Sequence, residues 1–243
     1  MGVGSARAAV FLVLFFLASP SLVAGELADF NAAVEKASVP YRAASGYLRS
    51  GNLDQANSEI ENIRKAWAGL TNRFGAKPPD AFDGNILYAS TLADVGRRIT
   101  RAARMVSARR PEAAREALVP IRAALSQMRR ASGVIVLADC VLDANAAMDD
   151  FSYYKDHPPD WTSSETRFDI AGKSAAYRHD LKRCESMAPE QIRADPQFSR
   201  LIEGAYAGLD LVQKAINTRD TDLLNRVLNE LRSFDTMLIL RYG

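Results

Sequence analysis

The chain has 243 residues, 48% hydrophobic and 25% charged, with 31 Lys+Arg against 29 Asp+Glu. That length accommodates one large domain or two small ones with real cores, and the near-balance of charge removes any global case for nucleic-acid or membrane binding. With only two histidines and two cysteines, there is little for a metal centre or a catalytic triad to draw on.

Arg7 precedes an unbroken apolar run from Ala8 to Ala18, then Ser19, Pro20 and small residues up to Gly25. This is the order of a secretory signal peptide, so residues 1–24 read as a leader cleaved after Ala24 or Gly25. The run is short for a bilayer span, and no later segment approaches the ~20 apolar residues a crossing needs. No cysteine follows it to take a lipid. The expected location is periplasmic or secreted, and in that oxidising setting the even pair Cys140 and Cys184 favours a disulfide.

Past the leader, apolar residues recur at helical spacing and alternating strand-like runs are absent, so the fold class is all-α. A first helix is read over 27–50, with Pro40 expected to kink or break it. Gly51-Asn52 opens a second, striped by Leu53, Ile60, Trp67 and Phe74, and Lys77-Pro78-Pro79-Asp80 forms a linker. Leu92, Val95, Ile99, Ala102 and Val106 stripe a third helix. Arg110-Pro111-Glu112 opens a fourth, running to about Gly133. The pattern then restarts: helix 134–157 carries Leu137, Cys140, Ala144, Met148 and Phe151, and Thr162 to Glu165 has capping-box spacing before helix 164–187. Asp195-Pro196 and Asp220-Thr221 open the last two helices.

Sliding the sequence on itself by 110 residues without a gap pairs Trp67 with Tyr177, Pro79 with Pro189, Tyr88 with Phe198, Arg109 with Arg219, Arg122 with Arg232 and Gly133 with Gly243. Amphipathic periodicity alone does not align prolines, turns and glycines in one frame, so the chain reads as a tandem duplication of a four-helix up-down unit, 25–133 and 134–243. Short turns make each unit an up-down bundle, although eight helices could also stack as one continuous array. In two bundles helix 27–50 touches helix 112–133; in an array it does not.

The offset also bears on the cysteines. If helices 134–157 and 164–187 run antiparallel, Cys140 and Cys184 stand level, and their counterparts Phe30 and Phe74 stand level in the first unit. Two further groups of residues carry functional readings. Ten arginines lie between Arg97 and Arg130 against Glu112 and Glu116, and Arg97, Arg101 and Arg104 share a face opposite the third apolar stripe. They suit an acidic protein, anionic lipid or other polyanion partner, with no sequence-specific nucleic acid implied. In the acidic segment after Gly133, Tyr153 and His157 share a helical face with Asp149 one turn earlier and Asp156 beside them. This oxygen-rich set could take a divalent or ferric ion.

The layout resembles soluble haem-carrying four-helix bundles, but C-x-x-C-H is absent and the first unit has no histidine, so no covalent haem is expected. Paired Glu-x-x-His, G-x-S-x-G, H-E-x-x-H and glycine-rich phosphate loops are also absent. The expected function is an exported, non-enzymatic bundle that binds a partner or acts as a scaffold through charged helix faces. The alternative is a metal- or cofactor-binding bundle centred on segment 149–157.

Overall fold

Each apolar stripe needs a partner face. In a computed structural model, which describes residues 21–243 with side chains from Gly25 on, that partner is always another helix, and no strand occurs among the described residues. The protein is all-α. The leader read over residues 1–24 lies, apart from the start of the first helix, outside the described residues.

The first half comprises α1 (Ser21–Ser50), α2 (Leu53–Phe74), a 3-10 turn (Asp80–Phe82), α3 (Tyr88–Ser107), α4 (Pro111–Leu118) and α5 (Pro120–Arg130). α1 packs on α2, α2 on α3, α3 on α4 and α5, and α4 returns to α1. The second half comprises α6 (Leu137–Phe151), α7 (Tyr153–Asp156), α8 (Ser164–Met187), α9 (Glu190–Arg193), α10 (Pro196–Thr218) and α11 (Thr221–Tyr242). Here α6 packs on α8, α8 on α10, α10 on α11, and α11 returns to α6. First and last helices therefore meet in each half, the closure that separates two bundles from an open array. Each bundle has its own core, one containing residues between Phe30 and Met128, the other between Leu137 and Leu238.

Several pairs of residues 110 positions apart have similar local geometry. Arg109 and Arg219 are the only non-glycine residues with positive φ among the described residues, at 55° and 56°; each follows a long helix, α3 and α10. Pro79 and Pro189 each precede a short helical turn in nearly the same conformation, φ −56° and −54°. Phe30 and Phe74 meet edge to face with ring centroids 5.5 Å apart. Cys140 and Cys184 hold the corresponding places at disulfide distance, with Cα atoms 5.4 Å apart.

Three local expectations need correction. Pro40 does not break the first helix, which stays continuous from Ser21 to Ser50. A proline inside a helix costs about 3 kcal/mol, but Ala37, Tyr41 and Ala44 on either side of it are buried in the first core, and that packing holds the helix together. The fourth helix is interrupted at Val119, because Pro120 has no N–H to return to Glu116. Helix 134–157 is shorter and divided, starting at Leu137 and breaking at Ser152 into α6 and α7.

The junction between the bundles, residues 131–136, is short and held by charge. Arg129, in the last turn of α5, and Asp139, in the first turn of α6, are both buried, at 3% and 0% exposure. Arg129 grips the carboxylate through Nε, at 2.8 Å, and through Nη2. Asp139 also accepts from the Val136 N–H at 3.1 Å, so the same side chain caps α6. Next to it, Arg130 pairs with Asp143 at 2.7 Å.

Candidate functional site

The face of α3 forms as its periodicity predicts. Leu92, Val95, Ile99, Ala102 and Val106 are buried, which turns Arg97, Arg101 and Arg104 outward to exposed positions. Among the described residues only Arg97 of the three forms an ion pair: Asp94 lies 3.1 Å away and is shared with Arg98 at 2.5 Å. The Arg98 guanidinium, hydrogen-bonded to Asp94, holds that carboxyl below its usual range, with Arg97 acting in the same direction. No ion pair engages Arg101, Arg104, Arg109 or Arg110 among the described residues. Between α2 and α3 runs a shallow groove of 480 Å³ whose rim carries Arg64, Arg97 and Arg104 with Thr71 and Thr100. Arg64 is taken by Glu61 at 2.6 Å, so Arg104 supplies the unmatched charge of the groove and Arg101 that of the adjoining face.

The second candidate group is only partly assembled. The imidazole of His157 stacks on the Tyr153 ring, centroids 4.0 Å apart and nearly parallel, and its Nδ1 lies 3.0 Å from the Tyr153 carbonyl oxygen. Asp149, however, is turned towards α11, where it pairs with Arg232 at 2.7 Å. Asp156 is exposed at the end of α7. Tyr153 and His157 are thus brought together and Asp149 is not brought to them. Among the described residues no group of three or more His, Cys, Asp or Glu side chains converges as metal ligands would.

The cysteine pair lies in the second core, both residues almost fully buried, with Arg183 Nε 3.3 Å from the Cys140 sulfur. The turn leading into α8 is capped by Ser163, one residue later than Thr162, because Ser163 Oγ accepts from the Thr166 N–H at 3.2 Å while Asp160 occupies Thr162.

Sequence reasoning missed a buried polar cluster in the second bundle. Asp235, 1% exposed, accepts from Asn145 at 2.6 Å and from Arg232 at 3.3 Å through one carboxylate oxygen. Among the described residues its other oxygen has no partner, and neither has the buried hydroxyl of Tyr177. Burial pushes the Asp235 carboxyl up to about 6, opposed by Asn145 and Arg232 and assisted by Asp149. It pushes the Tyr177 phenol well above its usual value, with Asp235 adding to the rise. The available signal was an acid in phase with an apolar stripe, since Asp235 stands between Leu231 and Leu238 on the buried side of α11.

Compared with known proteins, the chain matches no family model, no curated protein and no solved structure. Among the described residues no helix is long and apolar enough to cross a membrane.

Proposed function

We propose that the protein is an exported, non-enzymatic helical-bundle protein that captures an acidic partner on the α3 face of its first bundle. The observation that carries this reading is the exposed row Arg97, Arg101 and Arg104, in which a single carboxylate, itself shared with Arg98, answers three guanidinium groups. A surface carrying unmatched positive charge attracts polyanions at long range, and salt screens that attraction over about 8–10 Å. Export is supported by the leader-like residues 1–24 and by a cysteine pair set at disulfide distance. A tandem duplication of the bundle is supported by the shared 110-residue offset of Arg109 and Arg219, Pro79 and Pro189, and the two level pairs Phe30–Phe74 and Cys140–Cys184.

The test uses fluorescently labelled polyglutamate and fluorescence anisotropy. The native chain should bind it with an affinity that falls as salt rises. Arg97→Glu/Arg101→Glu/Arg104→Glu should weaken binding by about tenfold or more while leaving the helical circular-dichroism signal intact, because exposed substitutions seldom move stability by more than ~0.5 kcal/mol. Equal binding by both proteins rejects the reading. The metal-binding alternative keeps one favourable feature, the exposed imidazole of His157 stacked on Tyr153. It requires stoichiometric metal in protein purified without a histidine tag, lost in His157→Ala.

A further inference from the structure

Arg122 of α5 and Arg232 of α11 stand 110 residues apart and keep different company. Arg232 pairs with Asp149 at 2.7 Å and Asp235 at 3.3 Å, and donates through Nη2 to the Met148 carbonyl and to Ser152 Oγ. At the places matching those two acids the first bundle has Val39 and Leu125. Arg122 accordingly has no carboxylate partner among the described residues. Its Nη1 donates across the junction to the Ile239 carbonyl at 3.0 Å, and its guanidinium lies 4.8 Å from the centre of the Tyr41 ring. Burial holds its proton affinity below the usual guanidinium value, and Arg42 and Arg49 press the same way against the opposing pull of Tyr41 and Glu35.

This arginine lines a 350 Å³ cleft between the bundles, built from α1, α5, α6, α9 and the end of α11. Sites that hold small organic molecules run from about 300 to 1,000 Å³ and are mostly apolar with a few fixed polar groups. The charged residues around the cleft can be matched off in turn. Arg42 is paired with Glu35 at 2.5 Å and Arg129 with Asp139. Arg122 and Arg241 remain, and neither has an ion pair among the described residues; the Asp195 carboxyl is held down chiefly by the hydrogen bonds from Tyr242 and the Gln197 N–H, with Arg241 adding a smaller pull. The other walls include Leu125, Leu137, Leu142 and Ile192, and Leu125 and Arg122 also bound a 30 Å³ void leading into the first core. A guanidinium taken partly out of water without a counter-charge is costly, and an anion arriving in the same cleft offsets that cost. The planar fork of arginine matches a carboxylate in two parallel hydrogen bonds.

We propose that the cleft between the bundles binds a small amphiphilic carboxylate, with its head on Arg122, Arg241 beside it, and its apolar body along Leu125, Leu137 and Leu142. For Arg122 the ligand supplies what Asp235 supplies within the chain for Arg232. The position that would have provided it internally is Leu125, which gives the ligand an apolar wall in place of a competing acid. The site is separate from the α3 face and does not depend on it.

Isothermal titration of the full-length mature chain with sodium octanoate tests the proposal, with 1-octanol and inorganic phosphate as parallel probes. The expected result is saturable 1:1 octanoate binding, weakened about tenfold or more by Arg122→Gln and unchanged by Arg226→Gln, an exposed arginine on the second bundle. Four results overturn it: no saturable octanoate binding, octanol binding as well as octanoate, phosphate binding as well as octanoate, or Arg122→Gln leaving the octanoate affinity unchanged. Should Arg122→Gln lose its helical circular-dichroism signal, Leu142→Trp takes its place as the variant that fills the cleft. Loss of octanoate binding in that variant supports the site, and retained binding overturns it.

Discussion

The two bundles share a helical layout and differ in what fills it. The end of the first core is aromatic: Phe30 touches Phe74, Phe82 and Tyr88 with ring centroids 5.1–5.9 Å apart. The second has a cysteine pair at the places of Phe30 and Phe74, and it holds all of the buried side-chain atoms found without a hydrogen-bond partner among the described residues, on Tyr177, Asn225 and Asp235. Unpartnered buried polar atoms cost about 1–3 kcal/mol each. The cysteine pair at disulfide distance thus stands in the bundle that carries the larger polar burden. The level at which two antiparallel helices meet is a property of their turn and spacing, and either two rings or two sulfurs can occupy it.

The largest test of this contrast removes the link. Cys140→Ala/Cys184→Ala opens a loop with a sequence separation of 44 and should cost about 4 kcal/mol on the loop-entropy account, read by urea denaturation. Hydrogen exchange should quicken in α6 and α8 before it quickens in α1 and α2. A uniform rise in all four would mean that the two bundles open as one unit.

A second test sharpens the difference through pH. Asp235 is raised from 3.8 to about 6, so the folded state holds this proton more tightly than the unfolded chain does. Its stabilising contribution is complete below about pH 4 and is lost as pH rises through 6, by about 3 kcal/mol over that window. Asn145 and Arg232 hold the Asp235 carboxyl down against burial, while Asp149 adds to the rise. Melting temperatures taken across this window should fall towards neutral pH in the native chain, and Asp235→Asn should flatten the curve. The first bundle has Leu125 at the matching place and no equivalent titration.

The smallest test looks for sameness. Arg109 and Arg219 hold nearly equal left-handed conformations, which tax a residue bearing a Cβ. Arg109→Gly and Arg219→Gly should each raise stability by about 0.5–1 kcal/mol, and by matching amounts. Unequal gains in chemical denaturation would show that the two turns carry different strain.

The helices, their buried faces and the level pairing of the cysteines were legible because a 3.6-residue period shows itself within any short window. Leu92, Ile99 and Val106 all go where their spacing puts them. The continuity of α1 through Pro40 was not legible, since the local cost of a proline is visible in sequence and the packing of Ala37 and Tyr41 that overrides it is not. Asp149 was drawn away from Tyr153 and His157 by Arg232, a partner 83 positions further along the chain that no local pattern names. The cleft at Arg122 depends on how one bundle sits on the other, and helical periodicity carries no information about that. The arginine row of α3 was legible as a face. The groove beside it also needed α2, which supplies Arg64 and Thr71.

The ion pair at the junction bears on how far the bundles are interchangeable parts. Arg129 belongs to the first and Asp139 to the second, and each is buried by the other's presence. At the 110-residue offset Arg129 corresponds to Ile239, so the end of α11 offers no such grip. Exchanging the first bundle for a copy of the second would leave the Asp139 carboxylate enclosed without its opposite, a loss of about 3–5 kcal/mol, whereas the reverse exchange would bring Asp29 to the place of Asp139. The junction thus gives the tandem a direction, first bundle before second, and removing either of these two residues should destabilise the chain unless the other is changed with it.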